Sequence, residues 1–346
     1  DASRMLQVGP ESAGSNPGPV CYGRGNTRPT VTDANVVLGR IAADRPLGGG
    51  LLHALDAKSA EKAIESCIAK PLGLDTLAAA EAVLTVANAK MAGAIRVVSI
   101  ERGHDPRLFA YMPFGGGGAL HVCAMMREVG VTTGIVPRYP GVTSALGCVM
   151  ADMRHDAVQT INKPLAELDL MHLKSLLAEL ANTCQKRLDS AGVRFASIQQ
   201  IITLDMLYMG QTHTLQVNLD AVEITHHHIQ SAFEKTYLAS FGRILSGIPI
   251  RVMNLRYARV GVRPKFDLTI LAPQGAGSTK SIGTQKVFHA GQWWDAKRYA
   301  RLDLPVGSEI TGPAILEQAD TTVWLEPGFL ARVDALGNLL VERVVQ

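Results

Sequence analysis

Phe114-Gly115-Gly116-Gly117-Gly118-Ala119-Leu120-His121 follows an apolar stretch and leads into Val122 to Val129, a segment of helical character. A glycine run between strand and helix lets the backbone approach a ligand closely and aims free helix N–H groups at it, as nucleotide sites do. The same run also suits close helix–sheet packing. Outward from it, Leu108 to Phe114 reads as a strand, Ala119 to Val129 as a helix and Thr133 to Pro137 as a second strand. That order predicts an α/β fold. A second glycine-rich stretch, Gly9 to Pro19 (GPESAGSNPGP), stands near the beginning.

Between the two lie helical patterns. Pro29 to Gly39 reads as a short helix capped by Thr32 or Asp33 and ended by Gly39. Ser59 to Ala69 follows with Ser59 as its cap. A long helix then runs from Asp75 or Thr76 to about Glu101, with Leu77, Val83, Leu84, Ala87, Met91, Ile95 and Val98 forming an apolar stripe. Beyond the glycine run, Gly141 to Met150 begins a helix or turn, Ala157 to Ile161 reads as a strand, and Leu165 to Ala191 as a helix closed by Gly192.

From Ser197 the pattern becomes α+β. Ile198 to Met209 and Thr212 to Leu219 form a hairpin around Gly210, followed by a helix from Thr225 to Phe241 and a strand from Ile250 to Val262. Pro264 to Gln285 is a polar connection, and the short alternating segments beyond it suit a small β domain. The expected division is 1–155 (an α/β lobe), 156–263 (an α+β segment) and 264–346 (a β-rich domain).

The 346 residues are 47% hydrophobic with a net charge of +3, which fits a globular protein and argues against nucleic acid or a membrane surface as partner. No apolar run reads as long enough to span a bilayer. Five scattered cysteines, without close pairs, fit a reduced cytoplasmic protein.

The chain resembles the C-terminal half of the hydantoinase A/oxoprolinase family. The motifs that carry this are Val8 to Gly25 (VGPESAGSNPGPVCYGRG), Pro29 to Gly39 (PTVTDANVVLG), Ala94 to Phe109 (AIRVVSIERGHDPRLF) and Phe114 to His121. Pro140 to Gly147 (PGVTSALG), Ala151 to Asp156 (ADMRHD), Gly312 to Ile315, Asp320 to Thr322 and Pro327-Gly328 complete them. The resemblance implies one lobe of an actin-like, ribonuclease H-like ATPase fold. It implies an enzyme that opens cyclic amides such as hydantoins and 5-oxoproline with ATP and Mg²⁺, working with a B-type subunit or domain. A subunit of an acetone or acetophenone carboxylase is the alternative, and a non-catalytic interaction scaffold a third reading. Family members carry phosphate loops of the form Gly-Gly-Thr-x-x-Asp in a preceding half. No such motif follows Asp1 here, so this chain alone is expected to hydrolyse ATP poorly or not at all. Two local departures stand out: Gly117-Gly118-Ala119 where the family has Ala-Gly-Pro, and Leu207 where it has Arg.

Gly115, Gly116, Gly117 and Gly118 are therefore the candidate nucleotide contacts. Asp33, His121, His155 and Asp156 are the candidate catalytic residues. Asp33 suits either Mg²⁺ with bound phosphates or a helix cap. His121 suits a hydrogen bond to nucleotide or substrate, or a place at a lobe interface. Arg154-His155-Asp156 offers a base, a charge and a carboxylate, but neighbours on a strand point to opposite faces, so the three cannot cluster directly. His226-His227-His228 diverge on a helix and suit a solvated start better than a metal.

Overall fold

Thr30 opens the first helix. Its hydroxyl receives the Asp33 N–H, and the Asp33 carboxylate reaches back to the Thr30 N–H, a complete capping box at the start of α1 (Val31–Val37). The cap is thus Thr30, with Asp33 at the third helical position, and not Thr32 or Asp33 as the sequence suggested. The computed structural model describes residues 5–44, 54–219, 224–273 and 277–344. Parts of the glycine-rich opening through Gly50 and of the 264–285 connection lie outside them.

The chain forms two compact units, one of residues 1–147 with 267–346 and the other of residues 148–266. In the first, α1 is followed by α2 (Ala57–Ile64), capped by Asp56 rather than Ser59. A π turn over Glu65–Ala69 and the short α3 (Lys70–Leu72) lead to α4 (Thr76–Ser99), which starts where expected and is capped by Asp75. Ala79, Ala80, Val83 and Leu84 of α4 pack with Ala34, Leu38, Ile64 and Ile68 of the preceding helices. Small side chains here let the helices approach closely.

With the 3-10 turn that follows, α4 extends over Thr76–Arg102 at a mean hydropathy of 1.4, long and apolar enough by length and composition to cross a membrane. This corrects the reading that no run qualifies: Glu81, Lys90 and Arg96 are too widely spaced to interrupt it. Only 28% of its most apolar window is buried.

Leu108 to Phe114 is not a strand. A 3-10 turn at Pro106–Leu108 runs into it, and it makes one bridge, Tyr111 to Gly134. Pro113 within the segment and Pro106 just before it have no N–H to donate to a ladder. The glycine run opens a 3-10 turn (Gly118–His121), and only then does α5 (Val122–Val129) begin.

β1 (Thr133–Val136) stands where expected, and its partner comes from the far end of the chain. It pairs antiparallel with β12 (Leu339–Arg343), in a sheet of order β1-β12-β11-β8 with β11 (Phe329–Val333) and β8 (Glu309–Thr311). A second sheet, β10-β9-β7-β6, is built from β6 (Gly283–His289), β7 (Gln292–Ala300), β9 (Ala314–Gln318) and β10 (Thr321–Leu325). One core joins Ala119, Met125 and Met126 to Leu316, Val323, Ala331 and Val341. The strands after 264, expected as a separate β-rich domain, share this core with α5 and β1 and belong to one compact unit with residues 1–147.

Two contacts pin this joint. Arg301, 4% exposed, donates to the carbonyls of Val136, Pro137 and Arg138 and to Gln318 Oε1, and burial lowers its pKa to about 10. At the end of α1, Gly39 turns with φ +74°, and a Cβ there would overlap the Lys286 carbonyl oxygen. Phe288 N–H meets the Leu38 carbonyl at 2.9 Å beside it.

After α6 (Thr143–Met150), the second unit contains β2 (Met153–Pro164), α7 (Leu170–Asp189), β3 (Ser197–Tyr208), β4 (Leu215–Leu219), α8 (His226–Phe241) and β5 (Ile250–Val262). Its antiparallel sheet runs β2-β5-β3-β4, so each helix links two strands that lie either side of a third. The expected hairpin at Gly210 and the expected helix from Thr225 are both present, and Thr225 is the cap of that helix. Leu204, Met206, Tyr208, Val252, Leu255 and Tyr257 bury the helix-facing side against Leu173, Ile229 and Phe233.

Candidate functional site

Gly9 to Pro19 lines one side of a cavity of about 660 Å³ in the first unit, within the range of roughly 300–1,000 Å³ usual for small-molecule sites. Val83, Ala87 and Met91 of α4 supply an apolar wall, and Lys90, Arg28 and Glu11 stand among its polar lining. Lys90 Nζ donates to the Val8 carbonyl at 2.7 Å and thereby ties the loop to α4. Arg28 and Glu11 pair at 3.2 Å while both are more than four-fifths exposed, so that pair contributes little.

His121 is the one sequence-nominated site residue on this cavity. The turn after the glycine run carries it inward to 7% exposure, where Nδ1 lies 2.7 Å from Asn88 Oδ1. Burial, helped by the charge of Arg40 and opposed by Glu326, lowers its pKa to about 4. The imidazole is neutral at pH 7. Behind it Glu326, 1% exposed, pairs with Arg127 and lies 3.6 Å from His289, whose own pKa burial lowers.

The glycine run is held along its length: the Gly117 carbonyl accepts from the Leu120 N–H at 3.2 Å, and a Cβ on Gly118 would lie 3.6 Å from Pro113. Gly115 N–H donates to the Pro140 carbonyl at 2.7 Å, and the Gly116 carbonyl accepts from the Thr321 hydroxyl at 3.0 Å. Gly141 is as tightly placed, donating to Asp320 Oδ2 at 3.0 Å with no room for a Cβ. Gly117 borders open space. The Pro140-Gly141 and Asp320-Thr321 motifs thus converge on Gly115 and Gly116.

Asp33 is fully buried and saturated. Oδ1 accepts from Cys21 N–H at 2.8 Å, and Oδ2 from Val20 N–H at 3.1 Å, Thr30 N–H at 2.7 Å and the Thr30 hydroxyl at 2.8 Å. Both oxygens are spent on fixing the loop to α1. Among the described residues no three His, Cys, Asp or Glu side chains gather to hold a metal.

His155 and Asp156 belong to the other unit. On β2, Asp156 takes a bidentate contact from Arg154 on the same face, at 2.7 to 3.1 Å, and His155 points to the opposite face, its Nε2 buried without a hydrogen-bond partner. Arg154 holds the Asp156 carboxyl below its usual range. Asp205, next to Leu207 but one, is buried on a polar sheet face and held by Arg256 and Asn254 at 2.7 to 2.9 Å.

Lys90 and Asn88 escaped the sequence reading. Asn88 did leave a signal: it lies four residues from both Leu84 and Ala92 on the buried face of an apolar helix, where a polar side chain needs a partner.

A hydantoinase/oxoprolinase family profile matches residues 1–157 and the profile of that family's C-terminal domain matches residues 166–341. The chain belongs to the hydantoinase/oxoprolinase family. It is 34% identical over 341 residues to the caprolactamase subunit alpha of Pseudomonas jessenii, covering 95% of this chain and 48% of that one. The crystal structure of ATP-dependent caprolactamase from Pseudomonas jessenii superposes with a TM-score of 0.75 at 32% identity, over 99% of this chain and 51% of the other. A nucleotide-free acetone carboxylase structure gives a TM-score of 0.76 at 25% identity, over 99% and 50%. The chain spans about half the length of these relatives. They share its mixed α/β fold.

Proposed function

We propose that this chain is the C-terminal part of an ATP-dependent cyclic-amide hydrolase subunit of the hydantoinase/5-oxoprolinase type. On this reading the first unit is one lobe of an actin-like ATPase, with Gly115 to Gly118 on the adenosine side of the cleft. The cyclic amide occupies the cavity beside Gly9 to Pro19, and a B-type subunit completes the reaction in the cytoplasm. The observation that carries it is the cavity itself, with a neutral His121 beside an apolar wall, in a chain 34% identical to a caprolactamase subunit.

When bound, ATP would supply a phosphoryl group to activate an otherwise inert amide. The residues of this chain bind and orient: Val83, Ala87 and Met91 hold the apolar ring, and His121 hydrogen-bonds its polar edge. Asp33 serves by holding the loop in place, since neither carboxylate oxygen is free for a ligand. No three-ligand metal site is assigned to the described residues. A carboxylase subunit is the second reading, favoured by the TM-score of 0.76 to acetone carboxylase.

Phosphate release by the whole subunit with its B-type partner separates the two. Stimulation by caprolactam, hydantoin or 5-oxoproline supports the hydrolase. Stimulation only by a ketone with bicarbonate replaces it with the carboxylase.

A further inference from the structure

We infer that Asn88 is a positioning residue that locks His121 with its proton on Nδ1, so that the Nε2 lone pair faces the cavity as an acceptor for the N–H of a cyclic amide. This rests on the proposed amide-hydrolase reading and goes beyond it by fixing which His121 nitrogen meets the amide and which residue sets that choice.

The arrangement has two sides. Asn88 stands behind the ring and is not among the residues lining the cavity, whereas His121 is. The Nδ1 to Oδ1 separation of 2.7 Å joins a ring nitrogen to a carbonyl acceptor, which requires the proton on Nδ1. Nε2 then carries a lone pair, and it has no hydrogen-bond partner among the described residues. Asn88 is itself 9% exposed, on the buried face of α4, and therefore well fixed.

A neutral ring presenting a lone pair repels phosphate oxygens and attracts an N–H. Of the two cations among the cavity's lining, Lys90 is held by the Val8 carbonyl, and Arg28 is more than four-fifths exposed, its charge turned to solvent and to Glu11. A nucleotide's phosphates find little to grip here. A lactam or hydantoin finds an apolar wall at Val83, Ala87 and Met91 and an acceptor for its N–H.

The test uses the chain labelled with ¹⁵N-histidine, observed by NMR, and titrated with caprolactam, N-methylcaprolactam and inorganic phosphate. The expected result is an Nδ1-protonated His121 whose Nε2 resonance moves with caprolactam, with N-methylcaprolactam binding about tenfold more weakly for want of one hydrogen bond. Phosphate leaves the resonance in place. Asn88→Leu should lose the tautomer preference and weaken caprolactam about tenfold, while Asn88→Asp, which also accepts from Nδ1, restores the tautomer. Circular dichroism confirms that each variant is folded. Equal binding of the two lactams, no lactam binding, a phosphate-induced shift, or an Nε2-protonated ring overturns the inference. Lactam-stimulated ATP turnover by the whole subunit, unchanged in Asn88→Leu, would overturn it too while leaving the amide-hydrolase reading intact.

Discussion

Replacing Asp33 with alanine should cost about 3–5 kcal/mol of stability, because it strands donors that water cannot reach. The carboxylate accepts four hydrogen bonds, of which those from Val20 N–H and Cys21 N–H are buried. Each buried backbone donor left without a partner costs about 1–3 kcal/mol. Loss of the capping box adds about 1 kcal/mol, with some overlap between the two. Asp33→Asn keeps the shape but sets an amino group against N–H donors, for a loss of about 2–3 kcal/mol. Urea unfolding followed by tryptophan fluorescence reads this directly, since Trp293, Trp294 and Trp324 all belong to the first unit. With a slope of about 2 kcal/mol/M, the alanine midpoint falls by about 2 M. An alanine variant within about 0.5 kcal/mol of the parent that has lost only ligand binding would refute the reasoning and make Asp33 a ligand contact.

His121 carries a pH signature. Above pH 6.5 it is neutral folded and unfolded alike. As pH falls toward 4 the unfolded chain takes up a proton that the buried ring refuses, so up to about 3 kcal/mol of stability is lost across that window. His121→Gln should flatten the difference between urea midpoints at pH 7.5 and pH 4.5, and an unchanged slope would count against a buried neutral ring. Gly39→Ala should destabilise by about 2–4 kcal/mol, from a left-handed backbone and overlap with the Lys286 carbonyl, seen as a lower melting temperature. With Ellman's reagent under native conditions Cys67 and Cys148 should react quickly and Cys21, Cys123 and Cys184 slowly. The second group is buried, with thiols pushed up by desolvation. Five fast thiols would contradict the packing.

What the sequence revealed and what it hid follow from the range of the forces involved. The long helix starting at Asp75 or Thr76, the helix from about Thr225 and the Gly210 hairpin are set within a few residues and were legible. The first cap was displaced by two or three residues because Thr30 and Asp33 act as a pair, either of which looks like a cap alone. Pairing of β1 with β12 depends on two short apolar strands some 200 residues apart, and neither names its partner locally. The site divides likewise. His121 was found through the motif around it, but its partner Asn88 lies on another helix, and only folding sets the two 2.7 Å apart.

The pairing of Thr133 with Glu342 also sets a timetable for synthesis. Residues 148–266 are inserted into the first unit between β1 and the strands that complete its sheets. At translation rates of about 5–20 residues per second, β1 leaves the ribosome roughly 10–40 s before β12 does. The inserted unit is contiguous and can close its own sheet during that delay. Until β12 arrives, β1 and α5 have no sheet to complete, and Met125, Met126 and Val136 stand open to the wrong partners. The guest folds before its host, and the host's waiting time is where a chaperone would be needed.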